Sequence, residues 1–340
     1  MKVSVIIPCH NAEEYLAECL ASVSAQSHSD LDILLVDDRS TDNTVRIMEV
    51  FCRQDGRMQH LQNLGKGSSD ARNTGLDAAT GEWVMFVDAD DVLPIDAVST
   101  LLDSSQGSDM VIGVHQLFGS VVDQKVYPDA SWPGKANEAR KHAMIRRLIE
   151  GDSVLNIMCN KLHRLSFLRE HHLRLCNRVK ISEDALFNLE AILCGARTAF
   201  VNQVTYRYRM HNRSVMHSER QGEFERHAPW LREMRALLQR YGLLEKYWVD
   251  YVNSVLLRFY KDSGVGGVIK RFHDADDMLN PRDLSRRKLT PPGIVTEELI
   301  RHGIYPVVYP LIYPFQVIRR KIAEARDRRF EEQVDHEQQS

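Results

Sequence analysis

Val3-Ser4-Val5-Ile6-Ile7-Pro8-Cys9-His10-Asn11 stands almost at the start of the chain, and its reading decides the fold. It is a short apolar run without alternation, closed by proline and polar residues. Such a run is a strand buried on both faces, as in parallel sheets. Ile33-Leu34-Leu35-Val36 repeats the pattern. Between the two runs the apolar period becomes helical, with Tyr15/Leu16, Cys19/Leu20 and Val23 on one stripe. This helix is expected to start at Asn11, with Glu14 reaching back in a capping box. A second helix begins near Asp42 and buries Val45, Met48 and Cys52; a short strand follows at 58–61. A glycine turn at 65–67, a helix over 71–79 and a strand over 82–87 complete four strands alternating with three helices.

Right-handed crossovers place such strands in a mostly parallel sheet, and open parallel sheets bind ligands at the carboxyl ends of their strands. There the first strand carries Pro8-Cys9-His10-Asn11, the second Asp37-Asp38-Arg39-Ser40 and the fourth Asp88-Ala89-Asp90-Asp91. Acidic side chains from distant sequence therefore converge on one rim. Two carboxylates on a turn suit one hard divalent cation, Mg²⁺ or Mn²⁺, that keeps its other positions for phosphate oxygens and water. Turn preference, and the helix expected from Pro94 with Val98, Leu101 and Leu102 buried, account for an isolated Asp-x-Asp equally well.

The chain has 340 residues, 43% hydrophobic and 27% charged, with 44 basic and 47 acidic side chains and a formal charge of -3. At about 150 residues per domain this is room for two domains with a sizeable core. The balance excludes a globally basic nucleic-acid binder, and no apolar run reaches the length of a membrane-spanning helix. With the first strand so near the start there is no room for a secretion leader, so the expected compartment is the cytoplasm. The six cysteines, at 9, 19, 52, 159, 176 and 194, lack the spacing of zinc or redox pairs and read as reduced thiols. Cys19 and Cys52 are expected to pack in the core.

From 107 to 215 the pattern is irregular: strands near 110–114 and 117–122, a loop around 128–134, and helices near 136–150 and 184–194. After Glu223 it is helical, with Trp230/Leu231, Met234 and Leu237/Leu238 at buried-face spacing, and 264–293 reads as a loop or hinge. The expected division is 1–105 as the first half of one domain, 106–222 as the half that completes its site, and 223–340 as a helical extension.

These pieces resemble the family 2 glycosyltransferases. The resemblance is carried by the opening strand, by Leu35-Val36-Asp37-Asp38-Arg39-Ser40-Thr41-Asp42-Asn43-Thr44, by Ala71-Arg72-Asn73 within 67–75, and by 81–91 with Asp88-Ala89-Asp90-Asp91. It is weaker through Asn160-Lys161-Leu162, 182–187 and 206–209. It implies a GT-A-like α/β fold, a Rossmann-type, mostly parallel sheet flanked by helices with a helical C-terminal extension. It also implies an inverting, metal-dependent hexosyltransferase using Mn²⁺ or Mg²⁺. Pro8 and His10 would line the nucleotide pocket, and Asp38 would accept the imide N–H of uracil, since a carboxylate accepts and never donates. Arg72 would pair with phosphate or with Asp88, Asp90 would bind the metal directly, and Asp88 would contact the ribose or the metal shell. Asp184 would be the base on the acceptor hydroxyl. Asp37 reads as structural. Read without the resemblance, Glu183 and Asp184 are also ordinary acids of a first helical turn behind Ser182.

Arg207, Arg209 and His211 alternate with Tyr206, Tyr208 and Met210, which sets the basic groups on one face of an extended segment. They suit either a lid over the donor diphosphate, with Arg209 at the nucleotide, or the charged guard of an edge strand. Processive relatives carry Gln-x-x-Arg-Trp; Gln316-Val317-Ile318-Arg319-Arg320 lacks the Trp, so transfer of a single sugar is expected. Residues 304–318 are apolar, with repeated Tyr-Pro pairs and a basic cluster through Lys321. Two readings stay open for 304–321: peripheral contact at the inner membrane face, near a lipid-linked saccharide acceptor, or packing against the preceding helices or a second subunit. A nucleotidyltransferase or a dinucleotide-binding dehydrogenase would want glycines directly after the first strand, which are missing. A non-catalytic glycan-binding or scaffold protein remains the alternative from another class.

Overall fold

The computed structural model describes residues 1–119, 138–210, 223–247 and 250–251. His211, the 264–293 segment and the 304–321 tail lie outside the described residues. The chain divides into two compact units, 1–219 and 220–340. The first contains β1 (Val3–Cys9), α1 (Leu16–Ser24), β2 (Leu31–Asp37), α2 (Thr44–Gln54), β3 (Met58–Gln62), α3 (Ser68–Ala78), β4 (Trp83–Phe86) and α4 (Ala97–Asp103). It continues through β5 (Met110–Gly119), α5 (Glu138–Glu150), α6 (Ser153–Asn156), β6 (Lys161–Arg164), α7 (Leu165–Glu170), α8 (Glu183–Leu193) and β7 (Thr198–Met210). In the second unit α9 (Glu223–Arg240) buries Trp230, Leu231, Met234, Leu237 and Leu238, as its spacing predicts.

The strands form one seven-stranded sheet in the order β3-β2-β1-β4-β6-β5-β7. All neighbours are parallel except the two that involve β6, which runs antiparallel to β4 and β5. β1 and β2 are apolar and buried almost throughout because helices cover both faces of the sheet. Pro8 is accommodated within an internal strand because the ladder to β4 ends with Val87 N–H on the Ile6 carbonyl, before the missing N–H of Pro8 would be needed. Beyond β4 the same sheet continues through β6, β5 and β7.

Several local expectations are corrected. α1 starts at Leu16, without a side-chain cap, because Asn11 is engaged elsewhere. Its backbone is left-handed, at φ 48°, and its Oδ1 accepts the Thr41 N–H at 2.8 Å. Cys52 and Val45 are half-buried, while Cys19 is buried as expected. α4 starts three residues after Pro94, whose carbonyl accepts the Ala97 N–H of its first turn. Positions 110–119 form one continuous strand rather than two, carried past an irregularity at Gly113 by its ladder to β7. Ser182 precedes α8 in a left-handed conformation, φ 64°, and makes no side-chain cap.

Candidate active site

At the carboxyl end of β2 the two aspartates separate in role. Asp37 is buried and accepts the Arg39 and Ser40 backbone N–H groups at 3.2 and 3.1 Å, which shapes the turn. The Asp38 carboxylate faces the next loop: Oδ1 accepts from Asn63 Nδ2 at 2.7 Å and Arg39 Nη1 at 3.1 Å, and Oδ2 from the Gly67 N–H at 2.7 Å. Gly67 has φ 87°, a left-handed conformation that a glycine adopts without strain. His10 stands beside them, its Nδ1–H donating to the Asp38 carbonyl at 2.8 Å. Asn63 is a partner of Asp38 that no sequence motif announces.

After β4 the acidic turn divides its side chains. Asp91 is buried, accepts the Arg209 N–H at 2.7 Å and takes a hydrogen bond from the Tyr206 hydroxyl. The same hydroxyl accepts the Asp88 N–H at 3.1 Å. Burial, then the charges of Asp90 and Asp88, push the Asp91 carboxyl well above the usual carboxylate range. Asp88 and Asp90 are half-buried. Tyr208 lies on the Tyr206 face of β7, and its hydroxyl is raised first by burial and then by Asp88, Asp91 and Asp90. The tyrosines meet the carboxylates of the acidic turn, whereas Arg209 meets its backbone. Strand alternation already separates these two faces, so 206 and 208 were legible as a pair.

Arg209 reaches the turn differently. Its Nε donates to the Asp90 carbonyl at 2.7 Å and its Nη2 to Glu18 at 2.5 Å, with the guanidinium over the rings of Tyr15 and Phe118 at 4.8 and 4.5 Å. The Arg207 guanidinium also lies over the Phe118 ring, at 4.5 Å. β7 is the last strand of the sheet, so charged side chains there also guard its edge.

Arg72 joins the turn to the more distant acids. It lies on α3, its side chain is only 6% exposed, and it pairs with Asp88 at 2.8 Å, Glu183 at 3.2 Å and Asp184 at 3.4 Å. Burial alone would lower the guanidinium, but Asp184, Asp88 and Glu183 more than offset that and hold it well above its ordinary value. Asp184, in the first turn of α8, also accepts the Met158 N–H at 3.1 Å. Desolvation pushes its carboxyl up to about 7 against the pull of Arg72, with Glu183 and Asp88 adding to the push. Ser68 Oγ donates to Glu183 at 3.1 Å, and the buried Cys159 thiol donates to Asp88 Oδ2 at 3.2 Å. Burial pushes that thiol far up, so it is neutral.

Asp38 and His10 form one corner of the rim, and Asp88, Arg72 and Asp184 a second, with Asp90 in the turn between β4 and the Arg209 contact. Among the described residues there is no group of three or more His, Cys, Asp or Glu side chains spaced to hold a metal ion. The donor set nevertheless fits one shared with a ligand: Mg²⁺-type ions take one or two carboxylates and draw their remaining oxygens from phosphate and water. The upward push of Asp88 and Asp90 on Asp91 and Tyr208 shows the negative field that a cation would relieve.

A mostly parallel sheet with acids of the β2, β4 and α8 ends gathered along its carboxyl rim defines a class, the α/β proteins that bind ligands at that edge. The Glycosyl transferase family 2 model matches residues 4–171. Glycosyltransferase GlyG of Streptococcus pneumoniae is 30% identical over 226 residues, 64% of this chain and 73% of that protein. Putative glycosyltransferase EpsH of Bacillus subtilis is 27% identical over 257 residues, 75% of this chain and 74% of that one. Among solved structures, Staphylococcus aureus TarS 1–349 in complex with UDP-GlcNAc superimposes with a TM-score of 0.64 at 22% identity, covering 91% of this chain and 88% of that chain. The chain belongs to glycosyltransferase family 2 and is a glycosyltransferase. No helix among the described residues is long and apolar enough to cross a membrane.

Proposed function

We propose that this glycosyltransferase moves one sugar, with inversion, from a UDP-linked donor to a saccharide or lipid-linked saccharide acceptor in surface glycan assembly, using Mn²⁺ or Mg²⁺. The observation that carries the reading is the position of Arg72, which ties the acid of the β4 turn to the acids of α8, 111 and 112 residues beyond Arg72 itself. Donor-side and acceptor-side groups thereby meet at one guanidinium. In this reading 1–105 hold the donor and 106–222 present the acceptor side; the helical extension expected over 223–340 falls mostly outside the described residues.

Asp38 accepts the imide N–H of the base, with Pro8 and His10 beside the ring. Asp90 and Asp88 hold the cation, which when bound neutralises the diphosphate as it leaves. Arg209 fixes the Asp90 backbone. Asp184 takes the proton of the acceptor hydroxyl, whose oxygen forms the new bond to C1 as the bond from C1 to the diphosphate breaks. The proton then passes from Asp184 to water. Support for a UDP donor comes from the carboxylate at position 38 and from TarS, solved with UDP and with UDP-GlcNAc. Support for a divalent cation comes from the donor set and from a mannosyltransferase of Pyrobaculum calidifontis solved with GDP-Man and Mn²⁺, similar at a TM-score of 0.53.

The test is a screen of nucleotide sugars for thermal stabilisation with and without Mn²⁺. A ligand that prefers the native state at 100 times its Kd adds about 2.7 kcal/mol of stability. UDP-sugars should raise the midpoint only with Mn²⁺, and Asp90→Asn should abolish that dependence. No response to any UDP-sugar would remove the donor assignment, and stabilisation without transfer or hydrolysis would restore a non-catalytic glycan-binding role.

A further inference from the structure

α6 is a single turn of four residues, so its carbonyls have no partners within the helix. Two buried side chains supply them. Lys161, fully buried at the start of β6, donates from Nζ to the Val154 carbonyl at 2.9 Å, to the Ile157 carbonyl, and to Asn160 Oδ1 at 2.7 Å. Asn188, buried on α8, donates from Nδ2 to the carbonyls of Leu155 at 2.8 Å and Ile157 at 3.1 Å. Asp152 caps the front of the same turn through the Val154 and Leu155 N–H groups, both at 2.9 Å.

The next residue after this clamped stretch is Met158, whose N–H binds Asp184 Oδ2. Asn188 is one helical turn beyond Asp184, so α8 grips the segment twice, once as acceptor and once as donor. Three acceptors on Lys161 use three N–H bonds, which an ammonium has and a neutral amine lacks. Burial pushes Lys161 down to about 7 while Asp184 pulls it up, and the three acceptors around Nζ favour the ammonium. An apolar residue would remove one donor from each carbonyl, leaving Ile157 to Asn188 and Val154 to the longer 3.5 Å contact of Asn160 Nδ2.

We infer that Lys161 and Asn188 are positioning residues for Asp184: they lock the 154–158 backbone so that the Met158 N–H holds one carboxylate oxygen while the other stays beside Arg72. This rests on the reading of Asp184 as the base. The comparison is of full-length wild type, Lys161→Met, Asn188→Ala, Asp184→Asn and the double variant Lys161→Met/Asp184→Asn. The readouts are hydrogen exchange at the Met158 amide, affinity for UDP with Mn²⁺, and UDP release from UDP-GlcNAc. Lys161→Met should speed exchange at Met158 about tenfold or more while UDP affinity stays within about twofold. It should lower kcat by about 30-fold with little change in KM, and add less than about twofold to the loss already caused by Asp184→Asn. Unchanged Met158 exchange in both single variants, or losses that multiply in the double variant, would overturn the inference. Should Lys161→Met fail to fold, Asn188→Ala, which removes one amide and no charge, decides on the same exchange measurement. Wild-type turnover by Asp184→Asn would remove the base reading and leave Met158 exchange to decide the clamp.

Discussion

Arg72 shows how much one side chain does in this site. It is buried among Asp88, Glu183 and Asp184, so Arg72→Met leaves three carboxylates facing one another without their cation. Breaking a buried charge set from one side costs on the order of 3–5 kcal/mol, which chemical denaturation will read directly. Asp184 carries a pH signature. Its carboxyl is raised to about 7, so as a base it works only above that value, and kcat/KM should fall with an acid limb near pH 7 that Asp184→Asn lacks. The stability sign follows from linkage. A carboxyl raised in the folded state favours folding below its ordinary pKa, and that contribution is lost as pH rises through about 7. Melts across this window should show Asp184→Asn gaining on wild type as pH rises. At this scale the acids of the β4 turn and of α8 were legible as residue types, and the resemblance led to the Arg72–Asp88 pair, present at 2.8 Å. The reach of the same guanidinium to Glu183 and Asp184 was not legible, because only the packing of α3 brings it to α8.

At the scale of elements, the close approach of α3 to β1 sets where Arg72 stands. A Cβ at Gly75 would lie 2.3 Å from Ile6 Cγ2, in a core where both residues are buried. Gly75→Ala must therefore push α3 off the sheet at a cost of about 1–3 kcal/mol. Because Arg72 is on the adjoining turn of the same helix, UDP release should fall along with the denaturation midpoint; a fall in stability alone would show that α3 moves without Arg72. Apolar runs announced β1 and β2 because both faces are covered and no alternation was needed to read them. The start of α1 was misread for a physical reason: a capping box is a local rule, whereas the Asn11 oxygen is taken by the Thr41 N–H on the neighbouring loop. The division of 110–119 into two strands failed in the same way, since the ladder to β7 carries the strand through.

For the whole molecule, two buried imidazoles bear on the response to acid. His163 packs edge-on against Phe86 and Phe187 with Nε2 unpartnered, and burial followed by Lys161 lowers it to about 3. His115, also buried with Nδ1 unpartnered, is lowered to about 4 by burial and Lys161. Lowered bases stay neutral when folded while the unfolded chain takes up protons, so stability is lost as pH falls below the ordinary histidine value. Each imidazole contributes a slope of up to about 1.4 kcal/mol per pH unit there, against the opposite slopes of the raised Asp184 and Asp91 carboxyls. The difference between variants isolates one of them: from about pH 6 downwards His163→Phe should gain in melting midpoint on wild type. A difference that does not change with pH would show that His163 is protonated in the folded state.

The sequence by itself determined the parallel half of the sheet and the acids at its rim. Buried parallel strands must be apolar along their length, and the residues that follow them must lie at the carboxyl edge. Only the tertiary structure decided how those acids are used: that β6 inserts antiparallel between β4 and β5, that Arg72 bridges two acidic groups, and that Lys161 and Asn188 hold the backbone behind Asp184. These contacts join residues distant along the chain, or backbone carbonyls that any residue could supply. Their geometry is set by packing, which no local pattern encodes.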